Sequence, residues 1–262
     1  MYNVNRMKGK KSLIMDVKRI VRLYWDRRSQ TYDNGIYKSR EEPPHFWKTI
    51  LNDAISAEHN LTILDVGTGT GFLALLFAEM GHNVTGIDIS KSMLERSRYN
   101  AYKLKLTVDF MHCDAENLPF VDETFDIVIS RHLLWTMPNP KSAVNEWSRV
   151  VRSGGKLMLI DGRWHDPAIN MRFRRFIGRI IAFMTERRNP WIFMRYYAGI
   201  KDQLPFFNGS APDDVVYMFN EVGLKNIAVN HLEHLSECEK RNASLSYKIA
   251  NRPSLFLARG EK

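Results

Sequence analysis

The run Ile63-Leu64-Asp65-Val66-Gly67-Thr68-Gly69-Thr70-Gly71 constrains the fold more than any other stretch of this chain. Leu61 to Val66 reads as a short buried strand, three glycines follow at alternate positions, and Phe72 to Met80 then reads as a helix. Glycine lets the backbone turn tightly and approach a ligand, and the helix behind it points its N-terminus at that ligand. Strand, glycine turn and helix together open a parallel α/β sheet, because parallel neighbours need a crossover, usually a helix.

The alternation continues. Asn83 to Ile87 reads as a second strand ending at Asp88, followed by a helix over Ser92 to Lys103. Val108–His112, Phe125–Ser130 and Lys156–Asp161 read as further strands, with a helix over Ala143–Val150 before the last of them. Asp213–Glu221 reads as a helix ending at Gly223, and Asn226–Leu232 and Ser254–Arg259 as two late strands. The expected fold is α/β: a doubly wound, Rossmann-like, mostly parallel seven-stranded sheet with helices on both faces and a helical cap. Upstream, Leu13, Val17, Ile20, Val21 and Tyr24 at helical spacing predict an amphipathic helix over 12–28. Pro43-Pro44 reads as a stop before a helical pattern over Phe46–Ala57. Four segments follow: an N-terminal helical cap over 1–57, a core over 58–162, a basic and aromatic lid over 163–207, and 208–262 completing the core.

Asp88 stands 21 positions after Gly67 at the end of the second strand, where a carboxylate can accept both ribose hydroxyls of a bound nucleoside. The dinucleotide fingerprint GxGxxG would need glycine at 72, where Phe72 stands, so a nicotinamide cofactor is disfavoured. His112-Cys113-Asp114 invites a metal, but consecutive strand residues point to opposite faces and cannot converge on one ion, so no metal site is expected.

Further motifs stand in order along the chain. Gly86-Ile87-Asp88-Ile89-Ser90 is followed by Met93, then by Asp114-Ala115-Glu116-Asn117-Leu118-Pro119-Phe120 and by Phe125-Asp126-Ile127-Val128-Ile129-Ser130 with Arg131-His132. Tyr24-Trp25-Asp26-Arg27-Arg28-Ser29 and Tyr32-Asp33 precede them. In this order, over about residues 21–162, the motifs resemble the class I S-adenosylmethionine-dependent methyltransferases, in particular the small-molecule group related to the ubiquinone and menaquinone methyltransferases. The resemblance implies S-adenosyl-L-methionine as cofactor and S-adenosyl-L-homocysteine as product. It implies that Asp65, Gly67, Thr68, Gly69 and Gly71 lie along the methionine part. Asp88 would hold the ribose, Ile89 and Met93 would flank the adenine, and Ser90 would also contact the cofactor. Asp114, Ala115 and Glu116 would form the adenine edge, with Asp114 toward the exocyclic amine. Ser130 and Arg131 would border cofactor and substrate, and Tyr24, Arg28 and Tyr32 would close over the site. From the residues alone, a turn or N-cap aspartate is the lesser alternative for Asp114, and Met93 is equally read as ordinary helix packing.

A methyl on a sulfonium is already activated, so its transfer chiefly needs an aligned nucleophile and excluded water. A hydroxyl, thiol or amine acceptor also needs a base, and histidine suits that work near neutral pH. His132, at the end of the fourth strand and so at the ligand-facing edge of the sheet, is the candidate; a packing role is the competing reading. His165 is a weaker second, and Arg131 could orient an acidic substrate. The expected activity is methyl transfer to a small acceptor at O, N, S or C. RNA methylation, nicotinamide-dependent redox chemistry and a silent nucleotide-binding module stay as alternatives, the last opposed by the intact Gly67, Gly69, Gly71 and Asp88.

Composition bears on partners. The 262 residues carry 38 Lys+Arg and 29 Asp+Glu, a formal charge of +9. Residues 1–28 hold +7 and residues 163–201 another +7, so the remainder is −5. The excess therefore belongs to the two cap segments and says little of a polyanion partner for the whole body. Within Met171–Glu186, Phe173, Phe176, Ile177, Ile180, Ile181 and Met184 share one helical face, with Arg172, Arg175 and Arg179 on another. Such a segment suits a lid over an apolar, aromatic or acidic acceptor; peripheral contact with an anionic membrane is a second reading, and nucleic acid is disfavoured. Leu13–Trp25 is broken by charges, and no apolar run is long enough for a signal peptide or a membrane span. Cys113 and Cys238 form no CxxC pair, so a reducing cytoplasm is the expected setting, and the oligomeric state is open.

Overall fold

A computed structural model describes residues 2–32, 43–163, 174, 176–178, 180, 181, 184, 191–233, 235, 237, 245–250 and 254–262. Its seven strands are β1 (Thr62–Val66), β2 (Asn83–Asp88), β3 (Asp109–His112), β4 (Phe125–Arg131), β5 (Val151–Gly162), β6 (Lys225–His231) and β7 (Leu255–Glu261). They form one sheet in the order β3-β2-β1-β4-β5-β7-β6. The first five run parallel, and β7 pairs antiparallel with both β5 and β6. The chain winds outward from β1 through β2 to β3, then returns to the other side of β1 as β4. That reversal opens a crevice beyond the carboxyl ends of the strands, where ligands bind in open α/β sheets.

The helices are α1 (Tyr2–Arg28), α2 (Pro43–Ala54), α3 (Phe72–Glu79), α4 (Lys91–Leu104), α5 (Pro140–Val150), α6 (Ile192–Tyr197), α7 (Pro212–Glu221) and α8 (Leu245–Ala250). One apolar cluster gathers Trp47 and Leu51 of α2 and Phe72 and Phe77 of α3 against Ile63, Ile127 and Ile129. On another, Trp147 of α5 and Phe219 of α7 pack with Leu64, Val128, Leu157 and Ala258. Successive strand residues divide between the two clusters, as a sheet buried on both faces requires. A third cluster lies in the cap, where Val17, Val21 and Tyr24 of α1 meet Tyr197, Ile200 and Leu204.

Several boundaries differ from the sequence reading, and three of the differences are instructive. α1 begins at Tyr2, not near residue 12. Pro43-Pro44 opens α2 instead of stopping the chain, since the first turn of a helix needs no intrahelical N–H donor and proline's fixed φ suits it. β5 starts at Val151, five residues early, because an irregularity between the pairs Phe125↔Val151 and Ile127↔Lys156 breaks the pattern there. Gly155 carries that break: a Cβ on it would stand 2.6 Å from the Asp126 carbonyl oxygen. His165 and Cys238 lie outside the described residues, as does much of 171–186, whose described positions are helical.

Candidate functional site

The glycine turn is fastened to the end of β2 by main chain. Gly67 N–H and Thr68 N–H both donate to the Ile87 carbonyl, each at 2.9 Å. Gly67 has φ +72°, a handedness that favours glycine, and a Cβ there would come within 2.8 Å of the Leu133 side-chain tip, which would have to shift. Beneath the turn Asp65 is buried and accepts from the Thr68 hydroxyl at 2.6 Å and from Ala74 N–H at 3.1 Å. One carboxylate thus fixes both the turn and the first turn of α3. Burial pushes Asp65 up to about 6, against the pull of those two hydrogen bonds.

Asp88 closes β2 beside the turn. Its Oδ2 accepts from Gly69 N–H at 2.9 Å and its Oδ1 from Ser90 N–H at 2.8 Å. A carboxylate has about four acceptor positions, so capacity remains for two hydroxyl donors. Burial raises this carboxyl too, to about 6. Ser90 caps α4 by accepting from Met93 N–H at 3.1 Å, and its hydroxyl donates to Asp26 Oδ1 of α1 at 2.7 Å. Ile89 is half-buried and Met93 buried at this end of α4.

The third acidic position follows β3. Asp114 Oδ1 accepts from Glu116 N–H at 3.0 Å, and Trp147 Nε1 donates to the Ala115 carbonyl at 2.9 Å. Lys18 of α1 reaches both Asp114 and Glu116, with Nζ 2.7 Å from a carboxylate oxygen of each. Burial alone would lower the Lys18 ammonium; its two carboxylate partners outweigh that and raise it. α1 is therefore attached to this edge of the site at two places 8 positions apart, Lys18 and Asp26.

At the end of β4, Ser130 is buried and its hydroxyl donates to the Val66 carbonyl at 2.8 Å, locking β4 to β1. The Arg131 guanidinium sits 4.9 Å from the Trp47 ring centre and 4.3 Å from that of Phe72. His132 adopts φ +56°, a left-handed conformation uncommon outside glycine, and its N–H donates to the Ile160 carbonyl at 2.9 Å. Its ring Nδ1 lies 3.8 Å from Oδ1 of Asp161, a fully buried carboxylate near the end of β5. Burial, with the Arg131 charge adding to it, drives His132 well below its ordinary pKa.

Sequence reasoning missed Asp161. A signal was present: Ile160-Asp161-Gly162 ends an apolar strand with an acid, as Ile87-Asp88 does. What the sequence lacked was the register Arg131↔Ile160, which sets the ends of β4 and β5 side by side.

The cap supplies rings. Tyr24 stands edge-on to Trp25, Phe193, Tyr196 and Tyr197, with centroids 5.1 to 5.8 Å apart. Trp135, just after β4, meets Trp25 and Tyr197, and Phe193 stacks on Tyr197 and Phe207. Tyr32 is edge-on to Trp25 at 5.4 Å, and Arg28 lies over Tyr32 while donating to the Thr31 hydroxyl at 2.6 Å. The residues expected at the site thus divide into two groups: the glycine turn with Asp65, Asp88, Ser90, Asp114 and Ser130 on the sheet edge, and Tyr24 and Arg28 on α1 with Tyr32 just after it.

Residues 64–159 match the family described as "Methyltransferase domain". A demethylmenaquinone methyltransferase of Renibacterium salmoninarum is 34% identical over 115 residues, 44% of this chain and 47% of that protein. A ubiquinone/menaquinone biosynthesis C-methyltransferase of Roseobacter denitrificans is 32% identical over 146 residues, 53% of this chain and 58% of that protein. The chain thus spans about half the length of the curated relatives it matches. Among solved structures, a Haemonchus contortus phosphoethanolamine N-methyltransferase 2, in complex with phosphomonomethylethanolamine and S-adenosylhomocysteine, superposes with TM-score 0.60 at 19% identity. It covers 92% of this chain and 59% of its own, a likeness of fold.

Proposed function

We propose that the chain transfers a methyl group from S-adenosylmethionine to a small acceptor with His132 as base, a reading supported by the match of residues 64–159 to the methyltransferase domain family. The residues suit this cofactor. Asp88 keeps acceptor capacity for two ribose hydroxyls after serving Gly69 and Ser90. Gly67, Thr68, Gly69 and Gly71 would lie along its methionine part, with Asp65 holding the turn from beneath. Asp114, Ala115 and Glu116 would meet the adenine edge, with Ile89, Ser90 and Met93 at its ring. Ser130 and Arg131 would border the methionine end, and Tyr24, Arg28 and Tyr32 would cover it. Phe72, standing edge-on to Trp47 at 5.2 Å, takes the place of the third glycine that a dinucleotide fingerprint needs.

When bound, the cofactor supplies a methyl group activated by positive sulfur. The protein's part is to orient the acceptor, exclude water and receive a proton. The observation that carries the base assignment is the buried pair His132 and Asp161, 3.8 Å apart at the carboxyl ends of β4 and β5. A histidine whose pKa is held low is neutral at pH 7, the form that can receive the acceptor's O–H or N–H proton. The imidazolium so formed is balanced by the Asp161 carboxylate. The ring cluster of Tyr24, Trp25, Trp135, Phe193, Tyr197 and Phe207 supports an apolar or aromatic acceptor. Arg131, already set over two rings, we assign to positioning in preference to an acidic substrate.

Calorimetric titration with S-adenosylhomocysteine and with NAD tests the cofactor: binding of NAD alone would sink the reading. His132→Asn, which tolerates the left-handed backbone, should then lower turnover by about 100-fold to 10,000-fold while leaving S-adenosylhomocysteine affinity unchanged. Unaltered turnover would remove His132 from the chemistry.

A further inference from the structure

Beside the ring cluster of the cap, a cavity of about 430 Å³ is lined by Arg27, Trp191, Ile192, Arg195 and Tyr196, none of them assigned to the cofactor. Two arginines line it and no carboxylate does. Both are exposed, and neither makes an ion pair or hydrogen bond through its guanidinium among the described residues. The neighbouring acid, Asp26, is engaged by Ser90. Exposed guanidinium groups with no partner hold a positive potential that a bidentate anion such as a phosphate can satisfy.

The surroundings are apolar and wet at once. Arg19, Leu23 and Arg27 are exposed at successive i, i+4 positions of α1, and Leu23 is 41% exposed. Trp191 is 46% and Met194 36% exposed at the start and middle of α6. The two walls are joined by the Tyr24–Tyr196 ring contact at 5.7 Å, so the cavity belongs to a folded cap. Upstream of Trp191 in sequence, Phe176, Ile180 and Met184 lie one helical turn apart and are also exposed, Met184 at 75%. Large apolar side chains at this density on a basic surface are costly in water and suited to the zone where headgroups meet acyl chains. Trp is favoured at that depth because its ring is apolar and its N–H polar.

We infer that this groove is a membrane-docking site, in which Arg27 and Arg195 take the phosphate of an anionic phospholipid headgroup while Leu23, Trp191 and Met194 enter the interface. The charge distribution along the sequence fits: residues 1–28 and residues 163–201 each carry +7 while the rest of the chain carries −5. Such a surface would orient the cap, and with it the covered edge of the sheet, toward the bilayer. Among the described residues no helix is long and apolar enough to cross a membrane, so the contact is peripheral. The inference stands apart from methyl transfer: the groove uses none of the residues assigned to the cofactor or to His132.

The test is partitioning of the whole chain onto vesicles of phosphatidylcholine alone and of phosphatidylcholine with phosphatidylglycerol, at low and high salt. The expected result is binding to the phosphatidylglycerol vesicles only, reversed by salt. The double variant R27Q/R195Q should weaken it about 30-fold, the equivalent of about 1 kcal/mol per cation near the surface, and Trp191→Ala should weaken it further. R27K/R195K, which keeps the charge, should retain most of the binding and guards against a loss caused by misfolding. S-adenosylhomocysteine titration of each variant reports on the sheet-edge site separately, so failure of either reading is visible alone. Equal binding to both vesicle types or no effect of R27Q/R195Q would overturn the inference. So would binding of inorganic phosphate or single-stranded RNA at the groove without vesicle binding.

Discussion

Between Val66 and Ser90 the site is held by main chain and buried carboxylates. Gly67 and Thr68 hang from the Ile87 carbonyl, Gly69 and Ser90 donate to Asp88, and Asp65 ties Thr68 to α3. The cap is attached otherwise: rings meet edge to edge around Tyr24, and two side chains of α1, Lys18 and Asp26, reach the sheet edge. Backbone hydrogen bonds in a buried ladder move together or not at all, whereas ring contacts and half-exposed ion pairs can part singly. The contrast teaches that the glycine turn is rigid while the cap is fastened by separable contacts, as the proposed function would need of a part that admits an acceptor and releases a product.

The contrast can be broken first by truncation in each region. Trp147→Ala removes a fully buried ring from beside the sheet and should cost about 3–5 kcal/mol of global stability, read by denaturant unfolding. Tyr197→Ala removes an equally buried ring from the cap, yet should leave the main unfolding transition nearly in place and instead expose α1 to protease. Equal losses in both variants would show that cap and core unfold as one.

Next in size is Asp88→Ala, which should lower S-adenosylhomocysteine affinity by about 100-fold or more, since two hydrogen bonds to a charged acceptor are worth about 1.5–3 kcal/mol each. The same group sets the pH dependence. Because the Asp88 carboxyl lies near 6 in the free protein, affinity should hold above pH 6 and fall below it, as protonation removes an acceptor. The stability effect has the opposite sign. Carboxyls raised above their unfolded value bind protons more readily when folded, so Asp65 and Asp88 favour the free protein as pH falls from about 6 toward 4. His132, held low, opposes them below about pH 6.5, because the unfolded chain then takes the proton that the buried ring refuses. A free-protein stability that rose steadily with pH between 4 and 6 would contradict the carboxyl assignment.

The smallest effect is expected at Lys18. Lys18→Met breaks the ties to Asp114 and Glu116 but keeps the stem, and should loosen α1 by about 1 kcal/mol, seen as faster amide exchange in the second half of α1. No change in exchange would mean that the rings alone hold the helix.

Much of the rigid half was legible in the sequence. Strand, glycine turn and helix each have a local signature, and Asp88 declares itself by ending an apolar strand at a fixed distance from the turn. The cap was less so. Lys18 meets Asp114 across 96 positions, and nothing local in either segment records the other. Pro43-Pro44 misled because proline ends a helix and begins one with equal ease, and only the flanking conformation distinguishes them. Asp161 was visible as a residue but not as the partner of His132, since pairing depends on the register of two strands about 30 positions apart.

The place of β7 has a consequence for synthesis. It is the latest strand in the sequence, yet it lies between β5 and β6 and supplies the pairing on both sides. On a translating ribosome, β1 to β5 can assemble as they emerge, while β5 keeps an open edge and β6 has nowhere to dock. Until residues 255–261 have been made, the nascent protein presents a bare parallel edge of the kind that recruits foreign strands. A chaperone would therefore matter most while residues 232–254 are being made, and a stalled chain that stopped before residue 255 should aggregate although its whole glycine turn was already in place.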